Sequence, residues 1–292
     1  MRSNQHILRQ LNKAIVLIEQ RLQSEQTPPT LCELADTASI SRFHFHRIYR
    51  LLLGETCQQT ITRLQMLKAA NALKDNSVTI TDIALQAGFS SSQAFAKVIK
   101  RELGTTASNL RADPEQLSSI LLKLNAPLNP ENPQASPFEV RLTSLAPFQM
   151  VAVSTDNRYP NLNELYAQLF ELAGGPENVA AILGLAYGDI ESGEKEQSRF
   201  DCGVLLRKIP DTLPEPFIVQ PNPEQRYAVV RHQGSYQDLA KIIDDLYLVT
   251  LLDDQQLPAD KPCLLHYLDD PELTEENALR TDIYLPVNEI LS

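Results

Sequence analysis

The 292-residue sequence has no tryptophan and only four cysteines. Cys32, Cys57, Cys202 and Cys263 stand far apart with no CxxC pair, which argues against both a zinc site and a disulfide framework and leaves them as reduced, mostly buried thiols. Long apolar runs are also missing. Nothing approaches the roughly 18 residues of a membrane span, and the opening MRSNQHILRQLNK is too polar for a secretory signal. The expectation is a cytoplasmic protein without a membrane partner. No Ser-His-Asp or Cys-His arrangement is visible, so no catalytic residue is named. His44 and His46 are two residues apart, and on a helix they point about 200° away from each other. No metal or cofactor is called for.

An apolar content of 43% is ordinary for globular protein, and the length leaves room for two domains. The net charge of −11 is unevenly divided: residues 1–113 hold 14 Lys and Arg against 9 Asp and Glu, a net +5, and the remainder holds 12 against 28, a net −16. A cationic first part suited to phosphates is tied to an anionic second part that phosphates repel.

The cationic part is organised around a unit written twice. LCELADTASISRFHFHRIYRLLLG, residues 31–54, recurs in altered form as ITDIALQAGFSSSQAFAKVIKRELG, residues 80–104. Phe45 falls on Phe95 and Gly54 on Gly104 at an offset of fifty, whereas Ala35 falls on Ala84 at forty-nine, so one residue has entered the turn. Each copy reads as a short helix, a turn and a second helix ended by Gly, the sequence form of a helix-turn-helix. At 100° per residue, Phe45, Ile48, Tyr49 and Leu52 face inward, with Phe43, His46, Arg47 and Arg50 outward. The second copy places Phe95, Val98, Ile99 and Leu103 inward and Gln93, Lys97 and Lys100 outward. Two such surfaces on one block suit successive major grooves of duplex DNA, about 34 Å apart. A charged outer face on one helix is ordinarily just a solvated one; its recurrence in register, with an exposed Phe43, favours DNA reading.

Ile7 to Leu22 predicts an amphipathic opening helix. Thr30 and Glu33 form a capping box, Ser41 caps the first reading helix, and Thr79 or Thr81 caps the next short helix. Gly88 makes a turn, Ser90 to Ser92 offer the next cap, and Cys57 to Leu73 reads as a helix spacing the two units. Five prolines between Ala112 and Pro137 predict a linker with one or two helical turns.

At this point the residues resemble the DNA-binding domain of AraC-type transcription regulators, over roughly residues 7–111. The resemblance rests on ELADTASISRFHFHRIYRLLLGET, on LKAANALK, and above all on the D-I-A-x-x-x-G-F-x-S core of the second unit. It implies that Arg42, Phe43, His46 and Arg47, with neighbouring Arg50, and then Gln93, Lys97 and Lys100, contact base edges and phosphates of double-stranded DNA. Lys97 stands where relatives usually have Arg, Ile99 where they have Phe, and Ala107 and Leu110 where they have Pro and Tyr; Cys57 and Thr60 depart likewise after the first unit. Lysine lacks the guanidinium fork, which weakens base discrimination there.

The acidic part is duplicated as well. QMVAVSTDNRYPNLNELYAQLFELAG, from Gln149, is echoed by RYAVVRHQGSYQDLAKIIDDLYLVTLL, from Arg226, and each is followed by two strand-like runs: AILGLAYGD with RFDCGVLLRK, and CLLHYLDDP with RTDIYLPV. The predicted chain is therefore multidomain: an all-α domain of two helix-turn-helix units over 1–112, a linker over 113–136, and an α+β domain over 137–292. The last is two strand-helix-strand-strand repeats about a pseudo-twofold axis, with a cleft between them.

This half resembles the GyrI-like (gyrase-inhibitor-like) effector-binding domain over roughly residues 137–288, through the VRHQGSY turn, the YLDDPELTEENALRTDIYLPV ending and the duplication. The resemblance implies a cleft for an amphipathic, frequently cationic small-molecule effector. The ligand set it implies is Tyr159, Tyr187, Tyr236, Tyr267 and Tyr284, with Asp282 where relatives commonly have Glu. Without tryptophan, stacking on a cation relies on tyrosine. Two other readings stand beside this one: a small hydrolase pairing a cleft tyrosine such as Tyr236 or Tyr284 with Asp282, and an empty cleft in a domain that binds a protein partner. RNA polymerase is a possible further partner of a regulator.

Overall fold

Local signals in the cationic part act where the residue types place them. α1 (Arg2–Gln23) buries Leu11, Ala14, Ile18 and Leu22 at helical spacing. α2 (Leu31–Ala38) opens on the expected capping box: Thr30 Oγ1 accepts from the Glu33 amide at 3.3 Å, and Glu33 Oε2 accepts from the Thr30 amide at 2.7 Å. Before α3 (Arg42–Leu53), Ser39 takes a left-handed φ of 54°, and Ser41 Oγ accepts from the Phe43 amide at 3.2 Å. The second copy repeats the pattern, with Thr79 capping α5 (Ile80–Gln86), Gly88 at φ +85° and Ser91 capping α6 (Ser92–Leu103). Ser39 and Gly88 are thus the left-handed residue of each turn, and the extra residue lies after it. At Gly88 a Cβ would also meet Gln65 Nε2 at 3.0 Å, the same nitrogen that donates to the Gly88 carbonyl at 2.8 Å.

α4 (Cys57–Ala72) starts on a second capping box, Thr56 with Gln59, and α7 (Ala107–Ala112) follows α6. The expected linker does not begin at residue 113. Asp113 accepts from the Glu115 and Gln116 amides, Pro114 occupies the first turn, and α8 (Pro114–Asn125) runs on from there. Proline misleads here because the first turn of a helix tolerates it. Leu117, Leu121 and Leu124 of α8 are buried with Met66, Leu73, Ile83, Phe95, Ile99 and Leu110 in a single helical core.

The computed structural model describes residues 2–126, 139–156, 162–189, 199–252 and 256–289. Two compact units divide the chain, and the division does not follow the linear order. One is Leu8–Ile40 with Leu52–Asn132; the other is Met1–Ile7, Ser41–Leu51 and Pro133–Ser292. Most of α3 therefore belongs to the unit of the acidic half.

That half is the predicted pair of repeats. The first is β2 (Phe148–Asp156), α9 (Leu162–Ala173), β3 (Val179–Ala186) and β4 (Arg199–Leu206); the second is β6 (Gln225–Gln233), α10 (Leu239–Leu252), β8 (Cys263–Tyr267) and β9 (Arg280–Glu289). β1 (Arg141–Leu145) and β5 (Ile218–Asn222) close the two ends, and β7 (Gln256–Pro258) pairs with β9. The order β1-β6-β9-β8-β3-β4-β2-β5 is antiparallel throughout, and the repeats join where β3 pairs β8, from Ile182 opposite Tyr267 to Ala186 opposite Cys263. Strand alternation sorts the side chains. Cys202 and Cys263 point to the face covered by the helices, where Tyr166 of α9 and Tyr247 of α10 reach them. Met150, Ala152, Leu183, Leu185 and Leu264 form a core on the other face, with Tyr187 and Tyr284 packed against it.

Truncating Leu121 to Ala removes a buried contact of α8 and should cost the helical unit about 2–4 kcal/mol. Urea unfolding measures this, and a change near zero would show that α8 is not part of that core.

Candidate DNA-reading and ligand-binding sites

The two predicted reading surfaces are in different situations. On α6 the stripe is open: Gln93, Lys97 and Lys100 are all exposed, one and two turns apart along a single face. On α3 only Arg42 is exposed, and the stripe of Phe43, His46, Arg47 and Arg50 is engaged with the acidic half. The inward residues Phe45, Ile48 and Tyr49 are buried as expected. The helix is thus covered on both faces, where its amphipathic pattern predicts one face in solvent.

Arg47 is the centre of this contact. Its side chain is 3% exposed, with Nη1 donating to Asp244 Oδ1 at 2.5 Å, Nη2 donating to the Gly188 carbonyl at 3.2 Å, and the guanidinium lying 5.2 Å from the Tyr247 ring centroid. Arg50 bridges the same two carboxylates, Nε to Asp189 Oδ2 at 2.9 Å and Nη2 to Asp244 Oδ2 at 2.8 Å. His46 Nδ1 lies 2.9 Å from Asp189 Oδ2, and the Phe43 ring meets the Tyr187 ring edge-on at 5.7 Å. Burial alone would push the Asp189 carboxyl up; the hydrogen bond from His46 and the charges of Arg47 and Arg50 outweigh it and hold it below the usual carboxylate range.

His44 sits between. Its Nε2 bonds the Ala259 carbonyl, so that nitrogen carries the proton, and Nδ1 accepts from Tyr247 Oη at 2.5 Å. Burial pushes its pKa down to about 4. Ser41 adds a hydrogen bond to Asp260.

The predicted ligand residues separate into two groups, apart from Tyr159, which lies outside the described residues. On the helix-covered face, Tyr267 stacks edge-on with Tyr236 at 5.2 Å and with Tyr166 at 6.0 Å. Tyr166 comes from the first repeat and the other two from the second, so this row crosses the seam between the halves. Tyr166 also donates to the Leu183 carbonyl at 2.7 Å.

Tyr187, Tyr284 and Asp282 belong to the opposite face. Both Asp282 oxygens accept from Arg231 at 2.7 Å, and that arginine is 50% exposed. The first repeat carries the matching arrangement. Asp201, 0% exposed, accepts from Arg199 at 2.7 and 2.6 Å, and Arg199 lies 4.6 Å from the Tyr187 ring. Asp201 was legible in principle, because the last strands of the repeats read R-F-D and R-T-D. Asp189 and Asp244 carry no such signal, as their role appears only once a segment distant in sequence packs on them.

A sequence profile described as the GyrI-like small molecule binding domain matches residues 138–288. The chain belongs to the GyrI-like family. Residues 34–113 match a helix-turn-helix domain. Among curated proteins, this GyrI-like chain is 32% identical over 78 residues to the probable transcription factor PqrA of Proteus vulgaris, a match of 27% of this chain and 64% of that one. It is 29% identical over 112 residues to the HTH-type transcriptional activator AarP of Providencia stuartii, covering 38% and 81%. The match thus spans less than two thirds of the Proteus protein. Among solved structures, the C-terminal domain of EcmrR aligns with 53% of this chain and 99% of its own at 17% identity and a TM-score of 0.41. No helix among the described residues is long and apolar enough to cross a membrane.

The buried His44 of this GyrI-like chain makes stability pH-dependent. A histidine whose folded pKa of about 4 lies below its ordinary 6.5 binds more protons unfolded, so its stability is intact above pH 6.5 and falls on acidification, by roughly 2 kcal/mol at pH 5. Urea midpoints at pH 7 and pH 5 should differ accordingly, and His44→Gln, which retains a donor and an acceptor, should reduce the difference.

Proposed function

We propose that the chain is a cytoplasmic DNA-binding transcription regulator whose α3 and α6 read adjacent major grooves and whose GyrI-like half senses an amphipathic, cationic small molecule. The open Gln93, Lys97 and Lys100 stripe on a capped, rigidly packed α6 is the observation that carries the DNA reading. A lysine pair one turn apart supplies point charges for phosphates, and Gln93 at the helix start is placed to hydrogen-bond a base edge. The duplicated α3 supplies the second surface, and its arginines can make the bidentate bonds to guanine that Lys97 cannot.

The tyrosine row across the seam supports the ligand reading. Tyr166, Tyr236 and Tyr267 are each partly exposed and supply ring faces to a cation from both repeats. Asp282 serves a cation only if the ligand pushes Arg231 aside, which that arginine's half-exposed position permits.

Fragments selected from genomic DNA by the full chain provide the operator probe. Lys97→Ala should weaken all selected fragments about equally and lower the salt slope by about one, whereas Arg47→Ala should relax base preference, costing about 1–3 kcal/mol at the base it reads. If both variants bind the fragments with wild-type affinity at moderate salt, the groove assignment is wrong. For the ligand, at least one member of a panel of amphipathic cations should raise the melting temperature of the full chain, and Tyr267→Ala should abolish that rise. A panel-wide absence of any shift would remove the sensing role.

A further inference from the structure

We infer that the acidic surface of Asp189, Asp244 and Asp260 is a docking site for the reading face of α3, and that docking and duplex DNA compete for the same side chains. This rests on the reading of α3 as a DNA-contacting helix. Phe43, His46, Arg47 and Arg50 lie at positions i, i+3, i+4 and i+7, a single stripe. Every one of them meets the acidic half: Phe43 on Tyr187, His46 and Arg50 on Asp189, Arg47 and Arg50 on Asp244. Ser41, at the start of the same helix, bonds Asp260. The carboxylates supply what phosphates supply on a duplex, anionic oxygens for guanidinium donors and a helix start.

Energetics favour a contact that can open. Burying Arg47, His46 and Asp189 incurs desolvation that the ion pairs mainly offset, so a buried pair adds little net stability while strongly disfavouring any arrangement that leaves one partner alone. DNA provides replacement partners for the cations, and water reaches the carboxylates once the helix leaves. The contribution of α3 to DNA affinity is then its intrinsic value multiplied by the undocked fraction. The open α6 stripe holds onto a duplex in either state; docking governs whether α3 joins it.

The test uses the full chain and a mixed-sequence duplex of about 30 base pairs, long enough for both helices. Asp189→Asn with Asp244→Asn should tighten binding about tenfold, while the charge-matched control Glu272→Gln with Glu275→Gln, at two exposed positions of the same half, should leave it nearly unchanged. Equal effects of the two pairs would overturn the inference, since loss of negative charge would then suffice. Ser41→Cys with Asp260→Cys, in a Cys32→Ser background because Cys32 is the exposed thiol, provides a lock. Its oxidised form should bind the duplex several-fold more weakly than its reduced form; equal binding would also overturn the inference. Arg47→Ala added to the Asp189→Asn, Asp244→Asn protein separates the two readings. A loss of affinity there confirms that freed α3 contacts DNA, and no loss rejects the DNA role of α3 itself, whatever the lock reports.

Discussion

A guanidinium taken out of water must bring an anion with it, and Arg47 is held to that rule by Asp244 and Asp189. The consequence spreads outward. Once Arg47 is buried, Arg50 and His46 fall within reach of Asp189, and His44, two residues before His46, meets Tyr247 and the Ala259 carbonyl. The uneven charge of the chain acquires a local meaning from this. Of the described acidic residues in the GyrI-like half, three, Asp189, Asp244 and Asp260, meet α3 or the serine that precedes it.

The scaffold presenting those carboxylates depends on the pairing of β3 with β8, which joins two copies of a unit that has no complete sheet alone. Asp189 follows the end of β3 in the first repeat, and Asp244 on α10 and Asp260 before β8 belong to the second, so the acidic surface draws on both copies. The tyrosine row crosses the same seam. The two Arg-Asp pairs, Arg199 with Asp201 and Arg231 with Asp282, mark equivalent strands of the copies, although one arginine precedes its aspartate on the same strand and the other lies across on β6.

Much of this was readable because it is local. Thr30 with Glu33, Thr79, Ser91 and Gly88 act within a few residues of themselves, and the alignment of Phe45 with Phe95 anticipated two fully buried rings. The tandem repeats of the acidic half were equally plain, since strand and helix periods recur in the same order. Composition misled at α8, where prolines suggested a linker while Leu117, Leu121 and Leu124 kept a helical spacing. Nor can an amphipathic pattern say whether its polar stripe meets water, DNA or another part of the chain. For α3 that depends on acids 139 to 219 positions away. The split of the tyrosines between two faces was hidden for a simpler reason: strand parity follows only from register, and register from the assembled sheet.

The separation between α3 and its acids also has a meaning in time. Arg47 and Asp244 are 197 residues apart, so the ribosome releases the helix well before the carboxylates that will cover it exist, and domains fold as they emerge, amino-terminal first. The newborn chain therefore carries α3 without its acidic partners for as long as the intervening residues take to be made.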